Sequence, residues 1–509
     1  MKHSELQARA LSHLEAVVAI ESASDETSTD IPSTPGQARL AEYLGEFFAG
    51  LGASITRDDY ANTIAFWPGR GVGKDAPALA MMVHLDTARG TAPLKSLNRL
   101  KGWDGQRIPY PGNSDLQVTV KNYPALKQYL GQELVFGDGV SPFGLDDKLG
   151  LTHLMTLAWW LSENPDHPHP PLYIIARPDE EIGRMEALYG LAEYLANQGV
   201  KSGYTIDGLD PFEINIENFN ASHASVFFEN RLAPVDGQVI QVKIGGVNTH
   251  GATAWAEGHR PATRLAAEIL HELEGQPIAW IGFESDELRD CDALAHCLVY
   301  GPEARAALED AVERVVGPHK PRGASYSFAE VDSFHGQSAT ADALRFVWEF
   351  LHSDPGFTLA AEDSRGFDGY SQPYRITSVD AGFRLDVRLR DFDPAKLKAR
   401  EEHVLKLAGS RQTEVKQQYI NMGPSLKSRP ELVEWAKAAG KIAEVESEIQ
   451  PIRGGTGVDP FLDKGIAVAN LGTGYFAPES EKEFTTLEFM AAHVRWLAAL
   501  CQVVSEARP

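Results

Sequence analysis

The sequence predicts an α/β protein whose mostly parallel sheet, covered on both faces, is interrupted by an α+β domain. Three observations predict it. Short apolar runs at 78–83, 172–176 and 204–206, bounded by Pro, Gly or Asp, alternate with helical stretches. Continuous apolar strands of this kind suit a sheet buried on both sides. After Asp207 the pattern changes to alternating, half-buried strands, and past about 425 helix–strand alternation resumes. The first domain is therefore read as 1–213 plus 425–509, and the second as 214–424. A chain of 509 residues is also too long for one ordinary core.

Each element has its own signal. Residues 4–21 and 39–51 carry apolar side chains at helical spacing, with a loop rich in Ser, Thr, Asp and Pro between them. Helices are expected at 148–163 and 184–198, between the apolar runs. In the second domain 223–245 alternates like exposed sheet and 261–274 reads as an amphipathic helix. Residues 383–390 (Phe-Arg-Leu-Asp-Val-Arg-Leu-Arg) alternate cleanly and a helix follows at 394–408. The stretch from about 280 to 360 has its own helical segments and reads as an insertion. A long helix from 486 ends the chain. No internal repeat, low-complexity tract or heptad run is visible.

Composition narrows the partners. Hydrophobic residues make up 43% and charged residues 23%, the balance of a soluble globular chain. A net charge of -24 opposes nucleic-acid binding, which needs basic surface, and opposes docking on anionic membranes. Cys291, Cys297 and Cys501 have no CxxC spacing, which points to a reducing compartment rather than a disulfide scaffold. The first residues are charged and helical in pattern, unlike a signal peptide. The most apolar stretch, 149–161, contains His153 and is too short to span a bilayer. The expected location is the cytoplasm.

Four segments carry the chemistry, each delivering a metal-type ligand at or near the end of an apolar run. They are Met-Met-Val-His84-Leu-Asp86, Gly144-Leu-Asp146-Asp147-Lys148, Arg-Pro-Asp179-Glu180-Glu181 and Tyr-Thr-Ile-Asp207-Gly. In open α/β sheets, ligands bind beyond the carboxyl ends of the strands. His with a carboxylate two residues on lets the imidazole bind metal while the acid orients it. Two divalent ions can together lower the pKa of one water and polarise a carbonyl. Adjacent glutamates can divide the work, one as ligand and one as proton acceptor. Taken singly, each segment has an ordinary reading: a strand-end His, a helix cap, a solvated acidic turn, a turn Asp. The ordered set in one topological position is what points to a two-metal hydrolase.

These segments resemble peptidase T and its relatives among the co-catalytic zinc peptidases. So do Pro32-Ser-Thr-Pro-Gly-Gln, Ile216-Glu-Asn-Phe-Asn-Ala, Leu389-Arg-Asp-Phe-Asp, Tyr419-Ile-Asn-Met and Pro451-Ile-Arg-Gly-Gly-Thr. The resemblance spans nearly the whole chain apart from the insertion. It implies a zinc-exopeptidase catalytic domain and a ferredoxin-like lid, and an aminopeptidase that removes the N-terminal residue from short peptides, mainly tripeptides. It implies His84 and Asp207 on one zinc, Asp146 bridging, Glu181 on the second, Glu180 as general base and Asp86 as the orienting acid. His250, in Asn248-Thr-His-Gly, would help stabilise the oxyanion, with Asn248 beside it at the substrate. Arg390 and Arg453 would grip the substrate's carboxylate, which a guanidinium fork suits. The resemblance leaves a homodimer open.

Two departures from that pattern stand out. The group places its last zinc ligand, a His, four residues before a Glu-Phe or Glu-Tyr pair; here Glu483-Phe484 is preceded by Glu479. Two readings stay open: Glu479 is the substitute ligand, giving a harder site in which Mn²⁺ or Co²⁺ competes with Zn²⁺, or the second metal is weak or lost and Glu479 only decorates a loop. His493 reads as a helix-surface residue and His335, in the insertion, as exposed. Thr456-Gly457-Val458-Asp459 stands where peptidase T has Thr-Asp-Gly-Ala, in a loop expected to line the substrate pocket. The competing readings are a hydrolase of another small amide, an N-acyl amino acid or a dipeptide, and a non-catalytic descendant that binds peptides or a partner.

Overall fold

The structure, a computed structural model, describes residues 3–247, 260–285, 291–353, 367–380 and 382–508. The chain forms two compact units. The first comprises 1–218, 421–452 and 456–509, and the second 219–420 with 453–455.

In the first unit α1 (His3–Val18) and α2 (Pro35–Gly50) open the chain. Pro35 starts α2, where a missing N–H costs nothing. Strands β1 (Ser54–Arg57), β2 (Thr63–Trp67), β3 (Leu79–His84), β4 (Leu172–Arg177), β5 (Ser202–Gly208) and β6 (Glu213–Asn215) join two strands from the C-terminal part, Glu448–Gln450 and Ala467–Gly472. The sheet order is β1-β2-β4-β3-β5, then 467–472, β6 and 448–450. Strands β4, β3, β5 and 467–472 run parallel to one another, while β2 pairs antiparallel with β4 and β6 antiparallel with 467–472. Every residue of β3 and of β4 is buried, which is why these segments read as unbroken apolar runs. Helices α3 (Leu145–Glu163) and α4 (Glu186–Asn197) connect the central strands.

The C-terminal helix, Leu487–Ser505, is capped by the Thr486 hydroxyl, which accepts from the Phe489 amide. It is long and apolar enough to cross a membrane by length and composition, but 72% of its apolar window is buried inside the protein. His493 is part of that buried face, contrary to the helix-surface reading. It stacks on His153 at 4.9 Å, and its Nε2 accepts the Phe212 amide at 3.2 Å. Burial holds both rings below their usual pKa, so both are neutral core groups.

The second unit contains β7 (Asn220–Glu229), β8 (Gln238–Gly245), α5 (Ala262–Glu272), β9 (Ile278–Ser285), β10 (Ala293–Val299), α6 (Pro302–Val316), β11 (Ser325–Val331), α7 (Thr340–Ser353), β12 (Tyr370–Val379), β13 (Gly382–Asp391), α8 (Pro394–Ala408) and β14 (Thr413–Tyr419). It holds two four-stranded antiparallel sheets, β12-β13-β7-β14 and β9-β10-β8-β11. Each is a β-α-β-β-α-β run with spatial order second, third, first, fourth. One run is β7, α7, β12, β13, α8, β14. The other, β8, α5, β9, β10, α6, β11, lies nested between β7 and α7. The topology therefore repeats, although no repeat is visible in the sequence.

The nesting also moves the insertion. Its strands β9, β10 and β11 form one sheet with β8, which pairs with β10 on one side and β11 on the other. The inserted unit thus runs from 238 to 331 rather than from about 280 to 360, and α7 belongs to the outer run. Strand β7 is mostly buried rather than exposed. It is flanked by β13 and β14, and its apolar residues face a core that α7 and α8 share. His335 is exposed on a short strand paired with 232–234.

Candidate active site

The four ligand-bearing segments converge at the carboxyl ends of the central strands of the first unit. His84 is the last residue of β3, Asp146 lies in the first turn of α3, Glu180 and Glu181 follow β4, and Asp207 lies near the end of β5. His84 Nε2 is 2.9 Å from Asp146 Oδ1 and 3.4 Å from Asp207 Oδ1. Donor atoms of His84, Asp146 and Glu181 lie within 4.8 Å of one another, as do those of His84, Glu180 and Asp207. Both glutamates are therefore in range of a cation. Glu479 belongs to neither group.

Local chemistry explains how the chain holds these groups. Asp86, fully buried, accepts the backbone amides of Glu180 at 2.9 Å and of Glu181 at 3.0 Å. Its Oδ1 is also 3.3 Å from His84 Nδ1. Its backbone carbonyl, 2.9 Å from the same nitrogen, orients the His84 imidazole, and its carboxylate fixes the turn that presents the glutamate pair. The turn itself needs Asp179 at φ 53, in the left-handed region. Asp179 is tied down by Ser33, whose amide and hydroxyl both donate to it, and by the Gln37 amide. Of the three consecutive acids, then, one points away into hydrogen-bond donors. This is the physical role of the Pro32–Gln37 segment.

Asp146 and Asp147 likewise part company. The peptide between them is cis. Asp146 Oδ2 accepts from the Tyr475 hydroxyl at 2.9 Å. Asp147 turns back, accepting the His84 amide at 3.2 Å and the Gly150 amide at 3.1 Å. Lys148 is buried and spends its ammonium on the Ile20 carbonyl at 2.7 Å, and burial pushes its pKa down to about 7. Glu483, also buried, accepts the amides of Gly144 (2.6 Å), Leu145 (3.2 Å) and Glu479 (2.6 Å). One carboxylate therefore ties the Asp146 turn to the Glu479 loop. The sequence carries no signal for the roles of Tyr475 and Glu483. Arg177 carries one, a charge that closes an otherwise apolar strand.

The electrostatics are those of a crowded acidic cluster. Burial would push the His84 imidazole down, but the carboxylates of Asp207, Asp146 and Asp86 hold it well above its usual pKa. Burial raises Asp207 to about 7. Burial, reinforced by the charge of Glu479, holds Glu181 well above the usual carboxylate range. Burial also raises Glu180, against the pull of the Arg177 guanidinium. Glu181 Oε1 is buried and, among the described residues, has no hydrogen-bond partner. One imidazole, several crowded carboxylates and an orphaned carboxylate oxygen make a donor set that fits divalent cations.

The remaining expected residues belong to the second unit or lie outside the described residues. Arg390 and Arg453 belong to the second unit, around one aromatic cluster. Arg390 sits over the Tyr419 ring at 5.2 Å and donates to the carbonyls of Ser222 and Leu389. Arg453 sits over Phe219 at 5.2 Å. Asn248 and His250 lie outside the described residues.

Known proteins give the same reading. Residues 144–503 match the description of Peptidase family M20/M25/M40. Peptidase T of Aeromonas salmonicida is 26% identical over 498 residues, covering 96% of each chain. Peptidase T of Bacillus velezensis is 23% identical over 501 residues, covering 96% of this chain and 97% of its own. Among solved structures, aminopeptidase PepT from Bacillus cereus matches with a TM-score of 0.51 at 15% identity, covering 98% of both chains. Aminoacylhistidine dipeptidase from Vibrio alginolyticus matches with a TM-score of 0.54 at 15% identity, covering 100% of this chain and 98% of its own. With a metal-type ligand set at the strand ends and a family match over most of its length, this chain belongs to peptidase family M20/M25/M40 and resembles peptidase T from end to end.

Proposed function

We propose that this protein is a metal-dependent aminopeptidase of peptidase T type, which removes the N-terminal residue from short peptides, tripeptides above all. The observation that carries the proposal is the convergence of His84, Asp146, Glu180, Glu181 and Asp207 in two overlapping donor groups. His84 and Asp207 would hold one ion, Glu181 the other, and Asp146 both. Zinc suits imidazole and carboxylate donors, with Mn²⁺ and Co²⁺ as the alternatives. Bound there, the ions supply an acidified water and a polarised scissile carbonyl.

The chain's own residues do the rest. A carboxylate oxygen of Glu180 takes the proton from the attacking water and passes it to the leaving amine. Asp86 holds His84 and the Glu180–Glu181 turn in place. Arg390 and Arg453 are the second unit's candidates for the substrate's carboxylate, and His250 and Asn248 are the candidates for the oxyanion and the substrate. Glu479 would complete the second ion's ligand set. Its φ of 55, pinned by Glu483, is a backbone cost that a ligand position would justify. A cytoplasmic location is proposed because Cys291, Cys297 and Cys501 show no CxxC spacing or disulfide-scaffold pattern.

A second reading, hydrolysis of an N-acylated amino acid or another dipeptide-like amide, draws on one observation. In the Thr456–Asp459 loop a Cβ at Gly457 would meet Arg177 Nη1 at 2.5 Å. No side chain can reach out from that position to a free amine. Release of the N-terminal residue from a tripeptide pool, with Zn²⁺, Mn²⁺ and Co²⁺ added separately, tests the proposal. Cleavage is expected with added metal and is expected to vanish in Glu180→Ala, which should still bind metal. Turnover by Glu180→Ala would refute the base assignment. Cleavage of N-acylated substrates alone would favour the second reading.

A further inference from the structure

Arg177 ends the apolar strand β4 and is only 2% exposed. A buried guanidinium is costly unless a carboxylate compensates it. Among the described residues, its ion-pair partner is Glu180, with Nη2 3.6 Å from Oε1. Nη2 also donates to the Thr456 carbonyl at 3.0 Å, while among the described residues the buried Nε has no hydrogen-bond partner. The guanidinium fills the space that a side chain at 457 would occupy. A Cβ there would lie 2.5 Å from Nη1 and 3.0 Å from Cζ, and Gly457 has φ 56, where a side chain is strained in any case.

This cation separates two adjacent glutamates that distance alone does not. Both lie in donor range of His84. Among the described residues Glu181 Oε1 has no hydrogen-bond partner, so it is open to a cation from outside. Glu180 already faces one supplied by the chain. A fixed positive charge 3.6 Å from Glu180 opposes a metal ion on that carboxylate, and attracts the carboxylate to its own side. The 3.6 Å separation is too long for a hydrogen bond, so the effect is one of charge. Asp86 fixes only the backbone amide of Glu180 and leaves its side chain to be steered.

We propose that Arg177 is a positioning residue that keeps Glu180 out of the metal coordination set and poised as the proton acceptor, and that Gly457 is required to leave room for it. This rests on the reading of Glu180 as general base. Arg177→Met is expected to lower kcat about ten- to hundredfold, the scale of a base displaced by about 1 Å, with KM little changed. Metal affinity, measured by competition with a chromophoric chelator, should be unchanged or higher. Arg177→Lys should recover part of kcat, and Gly457→Ala should lower kcat in the wild-type background but not further in Arg177→Met.

In Glu180→Ala, adding Arg177→Met should change nothing. A turnover within twofold of the parent for Arg177→Met would overturn the proposal, as would loss of metal in step with loss of activity. Should Arg177→Met fail to fold, Arg177→Lys and Gly457→Ala carry the test alone, and full activity in both would overturn it. Turnover by Glu180→Ala itself would instead strike the base assignment on which the proposal rests.

Discussion

Replacing Asp86 by Asn would test how the site is held. The Asp86 carboxylate is fully buried and accepts two amides, from Glu180 at 2.9 Å and Glu181 at 3.0 Å, one on each oxygen. An asparagine offers one acceptor oxygen and one NH₂. Whichever way it turns, a donor faces a donor and one buried amide loses its partner. That costs about 1–3 kcal/mol. The amides belong to the turn that carries Glu181, so much of the cost should appear as a misplaced ligand. A tenfold to hundredfold loss of affinity corresponds to about 1.4–2.7 kcal/mol, the same range. That is also the scale on which removing an orienting partner acts on metal sites, roughly 10–100-fold. The assay is competition for Zn²⁺ with a chromophoric chelator, parent against Asp86→Asn, alongside the melting temperature of both proteins without metal. A variant that binds zinc as tightly as the parent and melts at the same temperature would refute the reasoning.

Glu479→Gln should weaken the second ion about tenfold while leaving the first in place, read by isothermal titration; two equal sites in the variant would remove Glu479 from the ligand set. Gly150→Ala places a Cβ 2.1 Å from the Ile206 carbonyl and 2.2 Å from Asp147 Oδ1, so it should destabilise the first unit by about 1–3 kcal/mol or more in a denaturant melt. Burial pushes His13 down to about pKa 4, helped by Arg9, so it stays neutral in the fold while the unfolded chain takes a proton near 6.5. Stability tied to His13 is thus lost as pH falls from about 6.5 to 4, amounting to about 2 kcal/mol at pH 5. His13→Gln should therefore lose less stability than the parent between pH 7 and 5, and equal losses would count against the assignment. Chelation should lower the melting temperature, because crowded carboxylates lose their counter-ions. Metal at a hundredfold excess over its Kd contributes about 2.7 kcal/mol; an unchanged melt would mean the ions do not hold the fold.

The sequence by itself determined the ligand-bearing strand ends. His84, Asp146, Glu180, Glu181 and Asp207 were legible because each closes or follows an apolar run or opens a helix, and strand ends in a parallel sheet are where side chains converge. The helix at 394–408 was legible for a local reason too, since Asp393 caps it through the amides of Ala395 and Lys396 and Pro394 starts it. Local pattern, however, carries no information about which distant groups meet. Nothing near Glu483 says that it will accept amides from both 144–145 and 479. Nor does the text around Tyr475 place its hydroxyl on Asp146. His493 sits in a helical pattern that looks the same whether its face is wet or dry, and only packing against His153 and Phe212 decided that it is buried. The nested β-α-β-β-α-β runs were invisible because strand order is a property of pairing across the sheet, and β8 had to find β10 and β11 before the extent of the insertion was defined. The resemblance already assigns Glu180 and Glu181 different roles, but only packing sets the buried charge of Arg177 beside Glu180 and, among the described residues, leaves Glu181 Oε1 without a hydrogen-bond partner.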